Sequence, residues 1–405
     1  MAVGESVWPE IFPVKGMRLG VAAAGVKYPG RKDLVLIELQ EGSTAAGVFT
    51  RNAFCAAPVT IAKEHLAATA TRYALINSGN ANACTGSAGR DAAFHTLRAV
   101  AERGNVAVEA ALPFSTGVIG ELLPAERIAS AVPNAFGDLS EDGWERAARA
   151  IMTTDTRPKA ASVRIQIDGQ SVSITGIAKG AGMIRPNMGT MLAYIGTDAS
   201  VDKETLDVIS RLAANRSFNR ITIDGDTSTN DACMLFATGA SGAEVSTTVG
   251  SAYELLQAAV IEVYQSLAQQ IVRDGEGATK FVTVDVRGGA TADESLKVAY
   301  SIAHSPLVKT AMFASDPNWG RIVAAIGNAD VPELDAGKVS VWLDDVAIVS
   351  NGGRAASYEE ALGQAIFNLA EFTVAVDLGR GDARELIWTS DLSHEYVTIN
   401  AEYRT

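Results

Sequence analysis

The chain has 405 residues, 47% of them hydrophobic and 20% charged, which is ample core-forming material for a soluble globular protein of two or three domains. Its 34 basic and 47 acidic residues leave a net charge of −13 with no basic patch, which excludes a nucleic-acid phosphate backbone as partner. The 37 glycines and 12 prolines form no low-complexity tract, so disordered and collagen-like classes are excluded too.

Apolar runs and helical patterns interleave along the chain. Residues 1–10 include Glu5, Pro9 and Glu10 and no apolar core behind a basic start, so they do not read as a signal peptide. Strands are expected at 34–39, 73–76 and 106–112, with helices at 88–102 and 143–152. Residues 162–167 and 171–177 alternate apolar and polar around Asp168-Gly169, a pair that tolerates the positive φ of a tight turn, and predict a hairpin. Strands at 221–224 and 232–238 precede the longest helix, 249–272, which stops near Asp274-Gly275. This helix carries Glu254, Glu262 and several glutamines, so it is amphipathic and not a membrane span. The last third reads as a strand at 281–286, helices at 293–304, 306–314 and 319–326, and strands at 339–343, 346–349, 372–377 and 386–389. Short turns between adjacent strands favour antiparallel pairing and helices between them cover a face. The expected fold is α+β in layers, with mixed, largely antiparallel sheets covered by helices.

Common catalytic signatures are missing. There is no G-x-x-x-x-G-K-[ST] loop and no G-x-G-x-x-G after a strand. The histidines, His65, His95, His304 and His394, have no H-E-x-x-H spacing, and Gly239-Ala-Ser241-Gly242 misses the nucleophile elbow by one position. Cys55, Cys84 and Cys233 are too few and too scattered for a disulfide framework or a structural zinc site, and fit a reducing, cytoplasmic setting. Residues 224–231 superficially resemble a calcium loop, but Thr229 stands where the turn needs Gly and Leu235 where a bidentate Glu is needed. They read instead as a polar turn bonding local backbone groups. No metal site and no resident cofactor is expected.

One segment carries chemistry. From Lys179 a loop with several glycines and Pro186 runs to Gly189-Thr190, directly before a buried strand. A flexible loop can bring the Gly189 carbonyl against the Thr190 hydroxyl; an N-to-O acyl shift and hydrolysis then free an α-amine beside that hydroxyl. Such an amine has a pKa of roughly 7.7–8.0 and can act as base for its own hydroxyl. The stiff χ1 of Thr limits misplacement of the oxygen. On its own, a Gly-Thr step at a strand start is more often a plain loop-to-strand junction.

The segment resembles the autocleavage region of the ornithine acetyltransferase family, also called glutamate N-acetyltransferases, self-cleaving threonine-nucleophile enzymes of arginine biosynthesis. Further stretches are similar to the same family: residues 77–86 (NSGNANACTG), 115–120 (STGVIG), 217–231 (SFNRITIDGDTSTND), 316–321 (DPNWGR) and 399–405 (INAEYRT). They run in order to the last residue. Members usually carry Ala before the nucleophilic Thr; here Gly189 adds backbone freedom, so cleavage is expected, but more slowly.

The resemblance implies transfer of acetyl from N2-acetylornithine to glutamate by a ping-pong route, with Thr190 as nucleophile and Thr116 and Gly117 as oxyanion donors. Fixed donors at such a position are worth about 2.7–4 kcal/mol each. It implies substrate contacts by Thr153, Lys179, Thr190, Glu276, Asn400 and Thr405, with Lys179 assigned to a carboxylate and Glu276 to the ornithine side-chain amine. It leaves acetyl-CoA open as a second acetyl donor. It implies two fragments associating as an α2β2 assembly, and a layered α/β sandwich with a main domain (1–280) and a smaller C-terminal domain (281–405) whose tail returns to the site. Two other readings remain. One is a self-processing N-terminal-nucleophile amidohydrolase or aminopeptidase, which acetylornithine hydrolysis independent of glutamate reveals; the other is a non-catalytic amino-acid-binding protein, whose ligand binding is indifferent to turnover.

Overall fold

The computed structural model describes residues 2–5, 7–185 and 191–402. The chain begins with β1 (Met17–Ala22), β2 (Leu34–Leu39), β3 (Thr44–Phe49), α1 (Ala57–Ala68), β4 (Tyr73–Asn80), α2 (Gly86–Gly104), β5 (Ala111–Val118), α3 (Ala125–Gly137) and α4 (Trp144–Ala150). The middle adds β6 (Lys159–Ile167), β7 (Gln170–Lys179), β8 (Leu192–Thr197), β9 (Ser200–Val201), α5 (Lys203–Asn215), β10 (Ile221–Thr222), β11 (Ala232–Ala237), β12 (Glu244–Val245) and α6 (Ser251–Arg273). The last third holds β13 (Phe281–Gly289), α7 (Ala292–His304), α8 (Pro306–Phe313), α9 (Trp319–Gly327), β14 (Ser340–Leu343), β15 (Val346–Ser350), β16 (Gly353–Arg354), α10 (Glu360–Phe367), β17 (Glu371–Asp377), β18 (Ala383–Ser390) and α11 (His394–Glu402).

Two sheets, β1-β2-β4-β5 and β3-β11-β8-β7-β6, share one core. Strand β2 shows why its sequence is apolar throughout: Val35, Ile37 and Leu39 enter the core between the sheets, while Leu34 and Leu36 join a second core with Leu97 and Val100 of α2 and Ile128 and Val132 of α3. On the other sheet Leu192, Tyr194, Met234 and Phe236 face inward, and Ala193, Ile195 and Leu235 pack with Leu206 and Ile209 of α5 and Leu256, Val260 and Leu267 of α6. The result is four layers, helix, sheet, sheet, helix. Most strand pairs are antiparallel; β4 with β5 and β8 with β11 are parallel.

The C-terminal third forms a seven-stranded mixed sheet, β10-β18-β13-β17-β14-β15-β16, whose core joins Val284 and Val374 to Val298 and Ile302 of α7, Met312 of α8 and Ile322 of α9. Strand β10 lies before residue 281 yet extends this sheet beside β18.

The hairpin forms as its sequence dictates, with Asp168 and Gly169 at φ of 49° and 79° between β6 and β7. The long helix is α6. The strand expected at 106–112 is displaced: residues 108–110 make a 3-10 turn, and the strand begins at Ala111 and runs to Val118, because it continues in parallel beside β4 through the polar Ser115-Thr116-Gly117. No helix among the described residues is long and apolar enough to cross a membrane.

Candidate active site

A cavity of about 280 Å³ opens where the ends of β5, β7 and β11 meet. Thr116, Gly117, Thr153, Lys179, Glu276 and Asn400 all line it, although they come from five separate parts of the chain. Met191 and Leu192 form part of the same wall. Gly189, Thr190 and Thr405 lie outside the described residues.

Thr116 and Gly117 end β5 at a β-bulge, where Asn80 of β4 faces both Thr116 and Val118. A network of amide and hydroxyl groups fixes this corner. Ser115 Oγ donates to Asn77 Oδ1 (2.6 Å), Asn77 Nδ2 to the Asn80 carbonyl (2.8 Å), and Asn230 Nδ2 to the carbonyls of Ala81 (2.5 Å) and Ser115 (2.9 Å). The last two bonds tie the turn before β11 to the ends of β4 and β5, while the Asn77 side chain bonds within that corner and Ser78 Oγ donates to the Ala150 carbonyl (2.7 Å). Gly117 has φ of 133°, and a Cβ there would lie 2.2 Å from the Gly79 carbonyl carbon, so no other residue fits. Lys179 Nζ donates to Thr116 Oγ1 across 3.2 Å, which occupies a lone pair of the hydroxyl and leaves its proton to be donated elsewhere.

Beneath the cavity Lys159, fully buried, lies 2.6 Å from both Asp155 Oδ1 and Asp274 Oδ2. Asp155 also accepts the N–H groups of Gly180 (2.7 Å) and Thr153 (3.0 Å), and Asp274 that of Thr156 (3.0 Å), so the ion cluster holds the Thr153 loop against the end of β7. Burial alone would raise the Asp155 carboxyl; Lys159, Lys179 and the hydrogen bonds outweigh it and hold the group well below the usual carboxylate range. Lys179 is lowered by desolvation, against the pull of Asp155, Asp231 and Glu276 and with the help of Lys159.

The opposite wall is Glu276, whose N–H bonds the Ala181 carbonyl (2.8 Å) and whose Oε2 accepts Asn400 Nδ2 (2.7 Å). A Cβ at Gly182 would lie 2.4 Å from Oε2, so the carboxylate packs flat on that glycine. The C-terminal helix α11 is anchored further by Ser393 Oγ to the Gly277 carbonyl (2.6 Å) and by Tyr396 OH to Asp224 Oδ2 (3.2 Å). Asp224 in turn receives the N–H groups of Met183 (2.6 Å) and Ile184 (2.9 Å). The expected polar turn at 224–231 therefore bonds distant backbone as well as its own.

Sequence reasoning passed over Asp231 as a site residue. It lines the cavity, and burial pushes its carboxyl well above the usual range despite Lys179 and Ser228. Two signals pointed to it: a run of short polar residues, Thr227 to Asp231, leading into an apolar strand, and its place at the end of the family-like stretch 217–231. Among the described residues no three His, Cys, Asp or Glu side chains are grouped to hold a metal ion.

The chain is similar to known proteins over its whole length. The arginine biosynthesis bifunctional protein ArgJ of Pseudomonas fluorescens (strain Pf0-1) is 58% identical over 406 aligned residues that span 100% of both chains. A crystal structure of the arginine biosynthesis bifunctional protein argJ from Bacillus halodurans is 34% identical, covering 50% of this chain and 95% of that one, with a TM-score of 0.48. The structure of ornithine acetyltransferase complexed with ornithine from Mycobacterium tuberculosis is 35% identical, covering 43% and 93%, with a TM-score of 0.37. Residues 18–405, which include every element of the cavity wall, match the ArgJ family, and the chain belongs to it.

Proposed function

We propose that this chain is an acetyltransferase of arginine biosynthesis that moves an acetyl group from N2-acetylornithine to glutamate through an acetyl ester on Thr190. The observation that carries the reading is the convergence of Thr116, Gly117, Thr153, Lys179, Glu276 and Asn400 on one cavity whose wall continues into Met191, the residue joined to Thr190. A volume of about 280 Å³ suits an acylated amino acid.

Self-cleavage between Gly189 and Thr190 gives the nucleophile its own α-amine as base. The Thr190 hydroxyl attacks the acetyl carbonyl, the amine takes its proton, and the oxyanion is met by the Thr116 hydroxyl and the Gly117 N–H. Lys179 supports this role of Thr116 by occupying its lone pair and turning its proton outward. Collapse expels ornithine as the Thr190 ammonium gives its proton to the leaving nitrogen, and the glutamate amine resolves the ester by the reverse path. Lys179 takes a substrate carboxylate. Glu276, oriented by Asn400, takes the ornithine side-chain amine.

Acetyl-CoA serves as a second donor in this reading, in keeping with the word bifunctional in the name of the Pseudomonas relative; only its acetyl end need enter the cavity. No resident cofactor is assigned. The two fragments remain together, as an α2β2 assembly in the cytoplasm. The test is ornithine release from N2-acetylornithine with and without glutamate. Glutamate-dependent release with stoichiometric N-acetylglutamate is expected; release independent of glutamate selects the amidohydrolase reading. Glutamate acetylation with acetyl-CoA as sole donor tests the second activity.

A further inference from the structure

Asp231 stands at the start of β11, where the Ala232 N–H donates to the Met191 carbonyl across 2.9 Å and Ala232 pairs in parallel with Leu192. This register sets Asp231 beside Met191, the residue covalently joined to Thr190. The side chain is 3% exposed and lines the cavity, and its Oδ2 has no hydrogen-bond partner among the described residues. A buried carboxyl oxygen without a partner destabilises a fold, so its presence at a cavity points to a group that binds there.

Among the described residues the groups that face it are few. Lys179, from β7, and Ser228, from the turn before β11, favour its charged form; Cys55, from the segment before α1, lies within its field. Behind Lys179 stand Asp155, Lys159 and Glu276. Burial outweighs these and raises the Asp231 carboxyl above the usual carboxylate range.

We propose that Asp231 is a positioning residue that receives an amine inside the cavity through its unpartnered Oδ2. The proposal rests on the acetyl-transfer reading above. On pairing, an amine N–H donates a hydrogen bond to Oδ2; no covalent bond is made or broken, and the amine keeps its lone pair. Two amines have this chemistry: the α-amine that cleavage creates on Thr190, and the free amine of a substrate.

The test is Asp231→Asn, which keeps the shape and removes the charge, with self-cleavage followed by intact mass and with kcat and KM for each substrate measured across pH. A carboxylate partner raises the pKa of an amine, so its loss lowers it. If the partner is the Thr190 amine, the acidic limb of acetyl-enzyme formation moves about one pH unit lower and kcat falls about tenfold or more, with KM unchanged. If the partner is a substrate amine, KM for that substrate rises about tenfold and the limb stays in place. Either result supports the proposal and names the source. Asp231→Glu, which retains the acid, is expected to restore the limb or the KM toward wild type. Should Asp231→Asn not fold, Asp231→Ser takes its place. Wild-type transfer alongside a variant with unchanged limb and unchanged KM values overturns the proposal alone; a wild-type chain that transfers no acetyl overturns the acetyl-transfer reading and the proposal with it.

Discussion

Lys179 Nζ donates a hydrogen bond to Thr116 Oγ1 across 3.2 Å, and with it the last residue of β7 reaches the C-terminal end of β5 on the facing sheet. The bond gives Thr116 a defined hydrogen-bonding direction. Thr116→Val, which keeps the shape and loses the hydroxyl, is therefore expected to lower kcat by about 10²–10³ with little change in KM or thermal midpoint. Steady-state acetyl transfer and a melting curve on the same preparation check it.

Gly117→Ala acts differently. The added Cβ would meet backbone at 2.2 Å from a residue at φ of 133°, so the expected effect is a destabilisation of about 1–3 kcal/mol together with lost turnover. Denaturant midpoints of the variant measure the first part, and an unchanged midpoint would show that the bulge relaxes freely.

The buried cluster of Lys159 with Asp155 and Asp274 predicts an asymmetric response. Lys159→Met strands two carboxylates inside the protein and is expected to cost about 3–5 kcal/mol of stability. The acid side follows from the sign of the Asp155 shift. Its native carboxyl titrates below the unfolded value of about 3.9, so its contribution is complete above that value and is lost as pH falls toward the depressed one. Urea midpoints between about pH 6 and pH 2 are expected to fall less steeply for Asp155→Asn than for wild type.

Much of the fold was legible because local rules and tertiary demand agreed. The Asp168-Gly169 hairpin and helix α6 are examples: one is set by residues that accept a left-handed turn, the other by an apolar stripe over six turns. Where the two diverged, reading failed. Strand β5 carries Ser115-Thr116-Gly117 just before its last residue, Val118; Ser115 and Thr116 bond to Asn77, Asn230 and Lys179, and no such partner is visible from spacing. Strands β1, β3, β9, β12 and β16 and helices α1, α3, α5, α10 and α11 are absent from the sequence reading; several are short, and α3 contains Pro133, which interrupts a helical pattern. The expected site residues rest on resemblance to a family; Glu276 and Asn400 are 124 positions apart, and only the fold makes them neighbours.

That pair gives a further expectation. Asn400→Ala frees Glu276 Oε2 from its one side-chain donor among the described contacts, and KM for N2-acetylornithine is expected to rise about tenfold with kcat changed less. Deleting residues 400–405 is expected to do the same or more while α11 stays anchored through Ser393 and Tyr396. Unchanged kinetics in the truncated chain would remove the tail from the substrate site.

The central claim is an acetyl group carried on Thr190 after cleavage at Gly189. Intact mass after incubation with N2-acetylornithine alone tests it most directly. The account predicts fragments of 189 and 216 residues, one acetyl added to the N-terminal Thr190 of the larger fragment, and loss of that acetyl when glutamate is supplied. A chain that stays at 405 residues and transfers acetyl at full rate, with no acetyl on Thr190, would contradict it.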